Sequence, residues 1–257
     1  MYTWNLNPIA LDLGLLQIRW YSLMYILGFI IAYYSIQWLA KEKQIKIHKD
    51  DVADLLFHLA IGMILGARLF YVLFYNLAFY LQNFLEIPAI WHGGLSFHGG
   101  FLGATLGIYY YCKKKNYDFW RFVDLAVIPG SIGLFFGRIG NFINGELWGR
   151  ITDASWCVNF PDAEGCRHPS QLYEAGKNLV IFIILFNIRK MKEIKEGMLF
   201  AIFIILYSTF RFIIEFFREP DEQLGFVLFS LSMGQLLSLA MLIIGCIIFY
   251  KRKYSSD

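Results

Sequence analysis

The thirteen residues RIGNFINGELWGR (138–150) set Arg138, Asn141, Asn144, Glu146 and Arg150 directly behind the apolar run IPGSIGLFFG (128–137). Ionisable groups beside hydrocarbon are costly, so such a cluster points to a site. A guanidinium fork grips phosphate or carboxylate in two places and an amide donates to the same oxygens, so the stretch suits an anion. Four further blocks carry groups of the same kind. GARLFYVLFYN (66–76) has Arg68, HGGLSFHGG (92–100) has His92 and His98 around Ser96, HPSQLYE (168–174) has His168, Gln171 and Glu174, and RFIIEFFREPD (211–221) has Arg211, Glu215 and Arg218.

Residues 211, 215 and 218 are spaced i, i+4, i+7, which puts both arginines and the glutamate on one helical face. That face reads either as a salt-bridged stripe or as an anion site with positive charge to spare. His-Gly-Gly occurs at 92 and again at 98. A neutral imidazole there can act as a general base, or it can cap a helix and meet a carbonyl; the glycine N–H groups at a helix start can cradle an anion. His168 and Glu174 suit either a substrate entrance or a helix cap. No metal is expected, because the two histidines do not share a helical face and no HExxH pattern exists. No nucleophile elbow surrounds a serine.

Positioning these groups falls to a membrane fold. The 257 residues are 58% hydrophobic and 19% aromatic, with 17% charged, and mean hydropathy is +0.50, too apolar for an ordinary soluble domain. Seven runs approach the roughly 20 residues that a bilayer core requires: 20–40, 53–76, 98–112, 122–138, 171–188, 197–217 and 232–250. The third and fourth are short and glycine-rich, which is tolerated where backbone is buried in protein or lines a polar cavity. The first is too long for a secretory signal and is expected to stay in the mature protein. Fifteen of the 23 Lys and Arg follow the first, third, fifth and seventh runs: Lys41, Lys43, Lys46, Lys49, Lys113, Lys114, Lys115, Arg121, Arg189, Lys190, Lys192, Lys195, Lys251, Arg252 and Lys253. The positive-inside rule makes that side cytoplasmic, with the N-terminus outside and the C-terminus inside. The others, Arg19, Arg68, Arg138, Arg150, Arg167, Lys177, Arg211 and Arg218, fall in the runs or at the outer face. Cys112 and Cys246 read as core; Cys157 and Cys166 share the outer loop and can form a disulfide in an oxidising compartment.

RIGNFINGELWGR resembles the signature of the bacterial prolipoprotein diacylglyceryl transferases. IRWYSLMYILGF (18–29), GARLFYVLFYN, GGLSFHGGFLG (93–103), HPSQLYE, RFIIEFFREPD and SMGQLLS (232–238) are similar to that family's blocks in the family's order, over about 8–250. The resemblance implies an all-α, polytopic enzyme of the bacterial inner membrane, with about seven transmembrane helices and its site toward the periplasm. It implies one integral membrane catalytic domain, 1–257, including an outer-face loop at about 139–170. Such enzymes move the diacylglyceryl group of phosphatidylglycerol to the lipobox cysteine thiol of a prolipoprotein, leaving a thioether and glycerol 1-phosphate. The family's functional positions fall on His98, Arg138, Asn141, Glu146, Gly149, Tyr21, Arg211 and Glu215, and Arg218 shares the face of the last two; His92 is incidental. No cofactor is implied. Phosphatidylglycerol, prolipoprotein and membrane lipid are the expected partners, and nucleic-acid binding is not indicated.

The reaction is a displacement at the glycerol carbon that bears the phosphate. His98 suits the base that takes the thiol proton, or it holds the headgroup while arginines alone acidify the thiol. Arg138, Arg211 and Asn141 suit the leaving phosphate, and Glu146 and Glu215 are expected to orient the arginines. Tyr21 either donates to a phosphate oxygen or packs at the interface. A seven-helix anion transporter is the alternative, although the polar path to the cytoplasm and the internal repeats expected of one are not seen.

Overall fold

The computed structural model describes residues 2–14, 17–219, 226–228 and 231–255. Every expected run is helical: α1 (Trp20–Glu42), α2 (Lys49–Phe74), α4 (Phe97–Lys115), α5 (Phe119–Asn144), α6 (Ser170–Ile188), α7 (Met198–Ile214) and α8 (Met233–Lys253). A short α3 (Leu77–Gln82) and two single 3₁₀ turns occupy the stretch between α2 and α4. Among the described residues, five helices are long and apolar enough to cross a membrane: α1, α2, α5, α7 with its 3₁₀ extension to Phe217, and α8. The other two carry more polar residues. α4 ends in three lysines, and the first half of α6 holds Gln171, Glu174, Lys177 and Asn178, all buried.

The all-α expectation omits three small sheets found among the described residues. β1 (Tyr2–Thr3) runs parallel to β4 (Val158–Asn159), which pairs antiparallel with β5 (Cys166–Arg167); β2 (Ile9–Asp12) pairs with β3 (Gln17–Arg19), and β6 (Phe226–Leu228) with β7 (Leu231–Ser232). They give backbone partners to segments outside the helices. A Cys157–Cys166 disulfide, with Cα atoms 5.5 Å apart, ties β4 to β5.

α5 extends six residues beyond the end expected for it. Pro129 sits inside the helix and does not end it, as membrane helices allow where neighbours satisfy the freed carbonyl. Gly145, at φ 70°, terminates it by taking the left-handed conformation that glycine adopts without strain. Arg138, Asn141 and Asn144 therefore stand on its last two turns. The 26 residues of α5 span about 39 Å, enough to separate two chemically different ends.

At one end lie the basic residues. Lys115 of α4 meets Asp51 of α2 at 2.8 Å, Arg189 after α6 meets Glu42 of α1 at 3.1 Å, Arg121 of α5 pairs with Glu196, and Arg252 of α8 donates to the Glu196 carbonyl at 2.6 Å. Nearby, buried Asp124 accepts from Gly197 N and Phe200 N, both at 2.8 Å, and so caps the start of α7 from α5. The buried core between the ends is aliphatic and aromatic, with Leu39, Leu55, Tyr111, Phe122, Leu199 and Tyr207 nearly inaccessible. Tyr34, Phe57, Leu65, Leu106 and Ile243 are exposed on the flanks, as lipid-facing side chains would be.

Glycines set the closest helix approach. Gly62 and Gly66 of α2 face Gly99, Gly103 and Gly107 of α4, an interlocked small-xxx-small pattern. A Cβ on Gly103 would stand 2.0 Å from the Gly62 carbonyl oxygen, and one on Gly62 would stand 2.2 Å from that of Gly103. The partner is rigid backbone on both sides. Gly103→Val is therefore expected to push α2 from α4 and cost about 3 kcal/mol or more, read as a lowered unfolding temperature in detergent; Gly130→Ala, whose Cβ meets nothing within 4 Å, is the control.

Candidate active site

The polar groups gather at the end opposite the basic loops, where α5 and α7 finish and α4, α6 and α8 begin. Glu174, in the first turn and a half of α6, is completely buried and lies at the centre. Its Oε1 takes Arg211 Nη1 at 2.5 Å, its Oε2 takes Lys177 Nζ at 2.7 Å, and Arg138 Nε approaches Oε2 to 3.7 Å. Arg211 turns its other nitrogen to Glu215 Oε2 at 2.7 Å, and Arg218 Nε lies 3.4 Å from the same oxygen. The three residues at 211, 215 and 218 do meet, but not on one α-helical face: the helix ends at Ile214, Glu215–Phe217 is a 3₁₀ turn and Arg218 is extended, and it is Glu215 that brings the two arginines together. Ser232, which caps α8, donates to Glu215 Oε1 at 2.9 Å and locks that carboxylate in place. Pro220 and Asp221, the last residues of RFIIEFFREPD, lie outside the described residues.

Four cations, Arg138, Lys177, Arg211 and Arg218, share two carboxylates, Glu174 and Glu215. Buried charge without a counter-charge is unstable, so the surplus suits an anionic ligand. His98 stands in the first turn of α4 behind its Ser96 cap, and Arg211, Lys177 and Glu174 are the charges that bear on it. Its Nε2 is buried with no hydrogen-bond partner among the described residues. Phe97 beside it stacks on Tyr207 at 4.4 Å, and the Lys177 ammonium lies 3.8 Å from the centre of the same Tyr207 ring. The glycine pair after His98 packs on α2: a Cβ on Gly99 would stand 2.2 Å from Phe70 Cβ.

The other expected residues divide in role. Asn141 and Asn144 donate to Glu146 Oε1 at 2.8 and 3.3 Å, so Glu146 holds two asparagines, where an arginine partner was expected. The cause is Gly145: the left-handed turn folds Glu146 back over the helix end. Gln171 Nε2 donates to the Glu146 carbonyl at 2.6 Å and Ser170 Oγ to that of Leu147 at 2.9 Å, which pins the segment to α6. Gly149 closes the floor with its backbone. Its N–H meets the His168 carbonyl at 2.9 Å, it bridges to Arg218, and a Cβ there would be 2.4 Å from the Phe217 oxygen. Tyr21 is half-buried against Gly140, its hydroxyl on that of Tyr25 at 3.2 Å, and Arg138 and Glu146 are among the charges that bear on it.

Arg68 lies apart from the cluster. It donates to the carbonyls of Glu86, Ile87, Ala89, Gly93 and Gly94 at 2.5–3.1 Å and so organises the loop ahead of α4. His92 is exposed and meets Glu86 at 2.7 Å. His168 Nδ1 meets the Tyr173 hydroxyl at 3.1 Å, and partial burial holds its imidazole below the usual range. Glu174, read from sequence as an entrance or a cap, is instead the hub, and Lys177 was counted only among the basic residues. Their signal was an i, i+3 ion pair inside an apolar helix. The described residues contain no group of three or more His, Cys, Asp or Glu able to hold a metal.

The sequence profile described as "Prolipoprotein diacylglyceryl transferase" matches residues 8–251, which contain every site residue above. The chain belongs to that family. Relatives carrying the name "Phosphatidylglycerol--prolipoprotein diacylglyceryl transferase" include one from Geobacter sulfurreducens, 49% identical over 94% of this chain and 93% of the relative. Those from Desulfotalea psychrophila and Ehrlichia ruminantium are 44% and 45% identical over 96% and 95% of the chain, and 93% and 96% of the relatives. Such coverage makes this a family member over nearly all of its length. For this member, Glu174→Ala is expected to strand Lys177 and Arg138, leave Arg211 with Glu215 alone and cost about 3–5 kcal/mol, seen as loss of folded protein on heating in detergent, whereas Glu174→Gln retains an acceptor and loses less.

Proposed function

We propose that this chain transfers the diacylglyceryl group of phosphatidylglycerol to the lipobox cysteine thiol of a prolipoprotein, releasing glycerol 1-phosphate. The observation that carries the reading is the buried excess of guanidinium and ammonium groups beside an unpartnered imidazole, in a chain similar to such transferases from residue 8 to 251. A phospholipid headgroup supplies the missing negative charge while its tails stay in hydrocarbon.

In the proposed step the precursor thiol gives its proton to His98 Nε2, and the thiolate attacks the glycerol carbon that carries the phosphate. The C–S bond forms as the C–O bond to phosphate breaks, and the electron pair leaves with glycerol 1-phosphate. Arg138 and Arg211 meet the growing charge on the phosphate oxygens, with the second amide N–H of Asn141 beside them. Glu215 holds Arg211 and Arg218 in register, and Glu146 does the same for Asn141. Tyr21 lends its hydroxyl to a phosphate oxygen in exchange for Tyr25, and Gly149 keeps the floor thin. The whole chain acts as one membrane catalytic domain with seven spans in the bacterial inner membrane, its site toward the periplasm. The separation of the basic end from the site, and a disulfide at the site end, support that orientation. Anion transport draws no support from the relatives named above.

Purified protein incubated with a lipobox peptide and phosphatidylglycerol is expected to add one diacylglyceryl mass to the peptide, and Arg138→Ala to abolish it; no adduct from folded wild type would overturn the reading. His98→Gln is expected to cut turnover about 10²–10⁴-fold and to remove the limb of the pH profile that reports the base, and an unchanged rate and profile would end the base assignment. For orientation, impermeant maleimide on intact spheroplasts should label Asp153→Cys and spare Lys46→Cys; the reverse pattern would invert the topology.

A further inference from the structure

The cations share Glu174 unevenly. Arg211 occupies Oε1 at 2.5 Å and Lys177 occupies Oε2 at 2.7 Å, while Arg138 stands 3.7 Å from Oε2, outside hydrogen-bond distance of the carboxylate. Exposure separates them as well. The Arg138 side chain is 15% accessible, against 2% for Lys177. The Lys177 ammonium is closed in by Glu174 on one side and the Tyr207 ring on another, so an incoming anion reaches the arginines, Arg138 among them, before Lys177.

We infer that Lys177 is a positioning residue for Arg138: by occupying Glu174 Oε2 it prevents Arg138 from closing onto that carboxylate and leaves the guanidinium fork for the phosphate of an anionic lipid headgroup. The identity of that anion rests on the transferase function proposed above. The distances make the competition concrete. A shift of about 1 Å would bring Arg138 into a charge-assisted bond with Oε2, and a buried bond of that kind uses the donors a phosphate needs. With Lys177 in place, the carboxylate already has a cation 2.5 Å from one oxygen and another 2.7 Å from the other. Without it, Glu174 would draw Arg138 inward and lipid would have to displace it. Glu174 Oε2 is therefore both the reason Arg138 is held near the site and the atom from which it must be kept.

The test compares wild type, K177M and E174Q/K177M in detergent micelles with short-chain phosphatidylglycerol, by turnover against lipid fraction and by calorimetric titration of the lipid alone. In K177M, both KM and Kd for the lipid are expected to rise about tenfold while kcat stays within about threefold, because the loss is in binding. Neutralising Glu174 in the double variant removes the competing acceptor and is expected to bring both constants back to within about threefold of wild type. A K177M protein with unchanged KM and Kd would overturn the inference. So would a double variant no better than K177M, since Lys177 would then touch the phosphate itself or merely pack. If K177M does not fold, the double variant, which loses two opposite charges together, decides alone: near-wild-type Kd supports the inference and a tenfold rise overturns it. Wild type that binds lipid but transfers nothing would overturn the transferase reading, and the titrations would still decide the role of Lys177.

Discussion

A carboxylate with no access to solvent, Glu174, meets cations from three helices: Arg138 of α5, Lys177 of its own α6 and Arg211 of α7. In the low dielectric of a helix bundle such charges can coexist only around a shared counter-charge. Glu215 extends the array to Arg218, and Ser232 connects it to α8. The ends of four helices are thereby held together by a network that no single helix could satisfy, and its net positive charge is what makes the site ready for an anion.

Apolar packing sets the frame in which this network can exist. Between α2 and α4, glycine carbonyls meet glycine Cα atoms across the interface, which fixes where α4 starts and so where His98 stands. Arg68 supports the same point from outside, by gathering five carbonyls of the loop that delivers the chain to Ser96. At the far end, Asp124 caps α7 and fixes its register, which carries through to Arg211 about three to four turns later. Residues far from the ion-pair network therefore decide where its side chains and His98 stand.

An amphiphilic substrate accounts for the juxtaposition that first marks this protein out, polar groups against hydrocarbon. A lipid brings its own negative charge and leaves its tails outside, so the site needs cations within reach of the bilayer and no path through it. Glu174 is shared unevenly, with Lys177 at 2.7 Å and Arg138 at 3.7 Å from the same oxygen, so the two cations are not equivalent.

Composition and run length were enough to place the helices, because burying some twenty residues in hydrocarbon demands a continuous apolar stretch and charges mark its ends. Local pattern also foretold the pairing of Arg211 with Glu215, an i, i+4 contact at the end of α7, whereas Arg218 reaches the same carboxylate from extended backbone beyond a 3₁₀ turn. The end of α5 was less legible: the apolar, glycine-rich run stops at 138, and only the packing around the polar residues beyond it shows the helix continuing to Asn144. Least legible were pairings between distant segments. Nothing in the order of residues says that Glu174 joins Arg138 and Arg211, that Glu146 turns to asparagines, or that Arg68 serves a loop, because each depends on which helix lies beside which. The sequence by itself determined which residues must avoid lipid and which can handle an anion; the tertiary structure decided who neutralises whom, because ion pairing falls off within a few ångströms and those distances exist only once the helices are packed.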